Sequence, residues 1–249
     1  MSGHSKWSTI KRQKGANDAK RGALFTKVAR EIIIAARMGG GDPDANYRLR
    51  LAIEKARSVN MPMDNIKRAI EKATGGGDAV TFEEIIYEGY GPGGIAILVE
   101  AQTDNRNRTA AEVRSMFTKS GGQLAGAGAV AWQFEPRGVI AVPRAGADAD
   151  EVALLAIDAG ADDIDTEADP IEVYTSPGDL EKVRKALEAA GVKVESGEIA
   201  MIAQNTVELD AHRARQALRL VESLEDLEDV QRVTANFDIP EEVFAELAG

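Results

Sequence analysis

The chain has 249 residues, of which 44% are hydrophobic and 29% charged, a composition typical of a globular protein with two or three domains. It contains no cysteine and two histidines, which excludes disulfides and Cys-ligated metal and disfavours a His-rich metal centre. The net charge is -11. Averaged over the chain, so acidic a balance argues against nucleic-acid binding, because a phosphate backbone repels it.

The charge is divided unevenly along the chain. Residues 1–76 hold 16 Lys/Arg and 7 Asp/Glu, a balance of +9, whereas the remainder holds 14 and 34, a balance of -20. A basic segment on an acidic body points to nucleic-acid contact by one part of the protein only. The alternative is that the basic segment docks on the acidic body.

The sequence up to residue 78 predicts a small helical bundle, called the head below. Gly39-Gly40-Gly41 ends a first helix, Asp42-Pro43 begins a second as N-cap and first residue, and Asn60-Met61-Pro62 precedes a third. Apolar side chains recur at helical spacing in each of them. The three stripes are Leu24, Val28, Ile32 and Ala36; Leu49, Ile53 and Ala56; and Ile66, Ala69, Ile70 and Ala73.

From residue 80 the sequence predicts alternating strands and helices. The elements over residues 137–204 follow the order β-α-β-β-α-β of a ferredoxin-like unit. The elements on either side of that unit are strands 82–88, 95–101, 130–134 and 229–236 and helices 103–119, 211–224 and 240–247.

These elements predict an α+β multidomain fold, in which the helical head precedes two α/β domains. Because the elements before and after the ferredoxin-like unit are each incomplete, we expect them to form one discontinuous domain. The predicted domains are 1–78, 79–136 plus 205–249, and the insert 137–204, since insertion at a surface turn is well tolerated. Three sequential units are the alternative.

An N-terminal arm, residues 2–20, is predicted to be mobile or partly ordered, because Trp7 and Ile10 are almost its only apolar anchors. Clustered cations bind phosphates, and an indole stacks on bases. Trp7 therefore either contacts a base or plugs against the bundle. The cations predicted to contact nucleic acid along the arm and the first helix are Lys6, Lys11, Arg12, Lys14, Lys20, Arg21, Lys27 and Arg30.

A second candidate site is the segment Asp104-Asn105-Arg106-Asn107-Arg108-Thr109, at a predicted strand-to-helix junction. Free N–H groups at a helix N-terminus, with Arg106 and Arg108 beside them, would attract a phosphate. The alternative is helix capping with salt bridges to the acidic body.

Little in the sequence favours catalysis, a metal or a cofactor. The carboxylates of residues 148–172 lack EF-hand spacing and are typical of a solvated acidic face. No Ser-His-acid order or glycosidase-like carboxylate pair is evident. No apolar run is long enough to span a membrane and no secretory signal begins the chain, so we expect a cytoplasmic protein that does not bind membranes. Its basic, acid-poor start also resembles a mitochondrial presequence.

Five segments resemble the YebC/PmpR family. They are Gly3-His4-Ser5-Lys6-Trp7, residues 11–23, Asn60-Met61-Pro62 with Asp64-Asn65-Ile66, residues 87–94 and residues 103–109. The resemblance implies a helical domain followed by two α/β domains, one inserted in the other, with no cofactor and no enzymatic reaction. Residues 121–130 depart from the family pattern by being richer in alanine, which weakens any side-chain role for that loop.

Family members are described as probable transcriptional regulators. Mitochondrial relatives resemble translational activators, and bacterial members are linked to ribosomes stalled on proline-rich sequence. The resemblance therefore implies a non-enzymatic, nucleic-acid-binding regulator of gene expression that acts on DNA. The alternative is a ribosome-associated translation factor that binds rRNA. In the DNA-binding hypothesis the acidic domains would repel other nucleic acid or recruit protein partners. In the alternative they would dock on ribosomal protein or RNA.

Overall fold

A computed structural model describes residues 18–75, residues 81–239 and Val243, with side chains from residue 22 onward. It shows a helical head followed by two antiparallel four-stranded sheets, each with helices packed on it. The predicted fold class is therefore confirmed. Most of the arm, including Lys6, Trp7, Lys11, Arg12 and Lys14, lies outside the described residues.

The head consists of three helices around one apolar core. They are α1 (Asp18–Gly39), α2 (Tyr47–Ser58) and α3 (Met63–Thr74). Helix α1 packs on both others, and the core includes Val28, Ile32, Leu49, Ala56 and Ile66. Burying a large aliphatic side chain of this kind stabilises the fold by about 1.5–3 kcal/mol.

Two details of the head differ from the prediction. Leu24 is exposed, so the buried stripe of α1 begins at Val28. Helix α2 begins at Tyr47 and not at Asp42-Pro43, because the Asp42 carboxylate accepts from the Asp44 N–H and the chain makes a turn first. Asn46 is the actual N-cap, and its side chain accepts from the Leu49 N–H at 3.1 Å.

The first sheet combines strands from both sides of the predicted insert. Its elements are β1 (Glu83–Tyr90), β2 (Ala96–Thr103), α4 (Arg106–Lys119), β3 (Gln123–Leu124), α7 (Ala211–Glu225) and β9 (Val230–Ala235). The strand order is β3-β1-β2-β9. Phe117 of α4 and Leu220 of α7 are fully buried against Ile97 and Val99 of β2, so the two helices share one core with the sheet.

The connection between β1 and β2 is a tight turn over the Gly91-Pro92-Gly93-Gly94 segment. Pro92–Gly94 form a single 3-10 turn. Gly93 adopts φ +82°, and a Cβ there would lie 2.5 Å from Leu209. Both facts require glycine at this position.

The second sheet is the ferredoxin-like unit. Its elements are β4 (Phe134–Val142), α5 (Ala149–Ala159), β5 (Asp163–Asp165), β6 (Ile171–Thr175), α6 (Leu180–Ala189) and β7 (Ser196–Ala203). The order β5-β6-β4-β7 places the first and third strands of the unit at the centre. Val152 of α5 and Val183 of α6 are buried against Ile140 and Val173 of the sheet.

The strand predicted over residues 130–134 is not formed. Ala131–Gln133 make a 3-10 turn, and strand β4 begins at Phe134. The reason is a buried carboxylate: Glu88 accepts hydrogen bonds from the backbone N–H groups of Gly128, Val130 and Ala131 at 2.6–2.8 Å. Donors engaged by a side chain are not available to a strand ladder.

A two-stranded parallel ladder of β8 (Val207–Glu208) and β10 (Phe237–Asp238) completes the described elements. The predicted helix over residues 240–247 lies outside the described residues apart from Val243, which packs on the core of the first sheet. Strand β9 follows the ferredoxin-like unit in sequence yet pairs with β2. The boundaries proposed for the three domains stay a prediction.

Candidate nucleic-acid interface

Two cations of α1 contact the body, meaning the two α/β sheets with their helices. Lys27 donates from Nζ to the carbonyl of Glu225 at the end of α7. Arg30 is 8% exposed and forms ion pairs with Glu228 and Asp229. Body oxygens therefore already engage Lys27 and Arg30, and their role as phosphate contacts stays a prediction. The side chains of Lys20 and Arg21, near the start of α1, lie outside the described set.

Asp229 is the centre of this contact between head and body. Its side chain is 3% exposed, and Oδ1 accepts from Arg30 Nη1 at 2.7 Å. On the other oxygen, Oδ2 accepts from Arg108 Nη2 and Thr109 Oγ1 at 2.7 Å each and from Thr103 Oγ1 at 3.1 Å. Two arginines from distant parts of the chain, both predicted to contact phosphate, thus meet on one buried carboxylate.

The titration of Asp229 reflects this environment. Burial alone would raise its pKa, but the hydrogen bonds from Thr109, Arg108 and Thr103 and the charge of Arg30 outweigh burial and lower the pKa. Conversely, the carboxylates of Asp229 and Asp104 raise the pKa of Arg108 above its ordinary value. Asp229 is therefore charged at neutral pH. The cluster of Asp229 with Arg30 and Arg108 is called the joint below.

The segment at residues 104–109 adopts the capping alternative. Asn105 is the N-cap of α4, where its side chain accepts from the Arg108 N–H at 3.1 Å. Arg108 also pairs with Asp104 at 2.9 Å. Arg108 is 44% exposed and Arg106, 3.5 Å from Glu83, is 68% exposed, so a phosphate contact by either stays a prediction.

More of the head's cations dock on the body. Arg48 pairs with Glu84 of β1, and Arg50 lies 3.8 Å from Glu181 of α6. These contacts, with those of Lys27 and Arg30, realise in part the alternative in which the head docks on the acidic body. They also show which positive charges of the head are already paired with oxygens of the body.

Four cations of the head stay exposed, with no ion pair to any described residue. Sequence reasoning did not single them out, although they contributed to the +9 balance. The sequence signal that could have found two of them is the spacing of Arg68 and Lys72, since positions four apart lie on one helix face. They are Arg57, Lys67, Arg68 and Lys72.

Arg68 and Lys72 border a groove between α1 and α3. The groove has a volume of about 430 Å³, and Asn65 stands on the same border one turn earlier. Its floor is apolar and includes Phe25 and Phe82. At one end the Arg30 guanidinium lies over the Phe82 ring, 5.2 Å from its centroid. The groove therefore adjoins the joint at Asp229.

Within the described residues, no group of three or more His, Asp or Glu side chains is placed to hold a metal ion. No described helix combines the length and apolar character needed to cross a membrane.

The fold and the exposed cations define a multidomain α+β protein that concentrates positive charge on its helical head.

Comparison with known proteins assigns the family. Residues 5–76 match the family described as the TACO1/YebC protein N-terminal domain, and residues 82–237 match the TACO1/YebC second and third domain. The chain belongs to the TACO1/YebC family.

Its relatives match over nearly the whole chain. A protein of Dehalococcoides mccartyi named "Probable transcriptional regulatory protein" is 58% identical over 98% of this chain and 97% of its own length. One of the same name from Rubrobacter xylanophilus is 55% identical over the full length of both. The crystal structure of a conserved hypothetical protein from Aquifex aeolicus is similar with a TM-score of 0.85 and 48% identity, covering 90% of this chain and 93% of that one.

Proposed function

We propose that this protein is a non-enzymatic regulator of gene expression that binds nucleic acid through its head and acts on DNA as a transcriptional regulator. The observation that carries the proposal is the separation of charge, +9 in residues 1–76 against -20 in the rest. The names of the relatives, probable transcriptional regulatory proteins, support it.

The proposed contact surface consists of the arm and the outer face of the head. Arm residues Lys6, Trp7, Lys11, Arg12 and Lys14, with Lys20 and Arg21, keep their predicted role. Arg106 keeps it as well, and the exposed cations Arg57, Lys67, Arg68 and Lys72 extend the surface. Each phosphate neutralised by such a cation releases counterions, which supplies most of the affinity.

Backbone contacts of this kind position a protein without reading sequence. The described helices of the head bury their apolar faces in one core, and none is presented as a recognition helix for the major groove. We therefore infer that the protein selects its target by shape and backbone.

Crosslinking in growing cells tests which nucleic acid is bound. We expect the intact protein to be recovered on promoter DNA, and we expect this recovery to fall when Lys6, Lys11, Arg12 and Lys14 are changed to Gln. The matched control changes Lys119, Lys182, Lys185 and Lys193, four lysines of the body, to Gln.

Sucrose-gradient sedimentation of the same lysates tests the alternative, in which the protein binds rRNA. Co-migration with ribosomes that the arm variant loses, without enrichment on promoter DNA, would overturn the DNA reading and establish the rRNA-binding alternative. Loss of neither association in the arm variant would overturn the assignment of the arm.

A further inference from the structure

The groove between α1 and α3 has the chemistry of a nucleotide site. Its apolar floor contains two partly buried aromatic rings, Phe25 and Phe82, and its border carries the cations Arg68 and Lys72 and the amide of Asn65. A volume of about 430 Å³ accommodates a single base with its sugar and phosphate.

We propose that this groove binds one unpaired nucleotide of a single-stranded nucleic-acid segment. Its base would lie against Phe25 and Phe82 of the floor and its phosphate at Arg68 and Lys72 of the border. The proposal rests on the proposed function and deepens it, because it assigns the head a ligand that a duplex does not present. Aromatic side chains bind bases of any sequence by stacking, which suits a protein without a recognition helix.

The charge pattern favours this occupant. The two border cations stand four positions apart on one face of α3, and neither forms an ion pair with a described residue. An anionic ligand satisfies them, whereas the chain's own arm, with Lys6, Lys11, Arg12 and Lys14, would add like charge beside them.

The neighbouring joint adds a reason for the groove to keep its shape. Arg30 lies over Phe82 while its guanidinium is fixed by Asp229 on the body. Phe82 therefore contacts a guanidinium whose position is fixed by its ion pair with a buried carboxylate. A pre-formed aromatic wall lowers the entropy cost of binding.

The test blocks the groove without changing its charge. Thr26 lies on the groove border in α1, is exposed, and donates from Oγ1 to the carbonyl four residues earlier. Thr26→Trp would fill the groove. Thr118→Trp is the matched control, because Thr118 is exposed in α4 and makes the same bond to the carbonyl of Arg114.

The probes are a six-nucleotide RNA and the DNA of the same sequence, each single-stranded and carrying one 2-aminopurine, and a DNA duplex. We expect the intact protein to raise the fluorescence of 2-aminopurine in a single strand, because a base bound in the groove no longer stacks on its neighbours. We expect Thr26→Trp to weaken single-strand binding about 10-fold, as expected when one base is no longer stacked. Its duplex binding should match that of Thr118→Trp.

Three outcomes overturn one claim or the other. Equal single-strand affinities of the two variants would overturn the groove site and leave the proposed function standing. An equal loss of duplex and single-strand binding in Thr26→Trp would also overturn the groove site, because the effect would then not be specific to an unpaired base. Absence of binding to every probe by the intact protein would overturn the proposed function.

Discussion

Asp229 shows how one residue decides the role of several others. It forms ion pairs with Arg30 from the head and Arg108 from the start of α4. Two arginines that the sequence pattern presents as phosphate ligands thus have an intramolecular partner. The sequence offers no local signal for this, since 199 positions separate Arg30 from Asp229. Charge patterns identify which segments are basic, but the partner of each cation depends on the tertiary structure.

Asp229→Asn tests the joint. The change leaves Arg30, whose side chain is 10% exposed, without its buried counter-charge, and we expect the free energy of unfolding to fall by about 3 kcal/mol. Glu228→Gln is the control, because Glu228 also pairs with Arg30 but is 68% exposed, and we expect a loss of about 0–1 kcal/mol. Urea unfolding measures both, and equal losses would contradict a buried joint.

The same variant should change the response to acid. Because the folded-state pKa of Asp229 is lowered, its stabilising contribution is complete above the unfolded-state pKa of about 3.9 and is lost as pH falls through the folded-state pKa. The stability difference between the intact protein and Asp229→Asn should therefore be largest near neutral pH and shrink in strong acid. Urea unfolding across that range measures it, and a difference independent of pH would argue against a charged Asp229.

At the scale of elements, periodic patterns predict most helices and strands, whereas local side-chain chemistry sets where some of them begin. The helix stripes of the head, apart from Leu24, and the β-α-β-β-α-β order were confirmed, because helical and strand periods follow from which face each segment buries. The start of α2 and the strand over residues 130–134 were wrong. In both places a side chain engages the backbone: Asp42 and Asn46 reshape the turn, and Glu88 holds the loop that precedes β4.

Glu88 gives this loop its conformation. Burial raises the pKa of Glu88, but the N–H donors of Gly128, Val130 and Ala131 outweigh it and lower the pKa, so the carboxylate is charged. Three charge-assisted hydrogen bonds order the loop over residues 125–130. All of its residues before Val130 are alanine or glycine, so few side-chain contacts could do so.

Glu88→Gln should loosen the loop. An amide nitrogen in place of one carboxylate oxygen faces backbone donors, and we expect a loss of about 2 kcal/mol with faster hydrogen exchange at the Val130 amide. Glu83→Gln, at a carboxylate that is 55% exposed, is the control and should change neither. Unchanged exchange at Val130 in Glu88→Gln would mean that the loop is ordered by other contacts.

Across the whole molecule, the net charge of -11 conceals two opposite surfaces that meet at an ion-paired boundary. Lys27, Arg30, Arg48 and Arg50 hold the head on the body, which leaves the outer face of α3 for a ligand. The sequence predicted the basic head but assigned its contacts to the arm and the first helix and named none on α3. The helix that the body leaves open is α3, and only the packing of the units shows this.

The salt dependence of DNA binding distinguishes phosphate binding by the head from phosphate binding by the body. We compare the intact protein with a head variant, Lys67→Gln with Arg68→Gln and Lys72→Gln, and a body variant, Lys182→Gln with Lys185→Gln and Lys193→Gln. Both variants have three fewer positive charges than the intact protein. Fluorescence anisotropy with a duplex at several salt concentrations gives the slope of log K against log salt.

We expect the head variant to flatten this slope by about 0.9 for each phosphate that it no longer neutralises, and the body variant to keep the slope of the intact protein. Equal slopes in the two variants, or a larger change in the body variant, would contradict phosphate binding by the head.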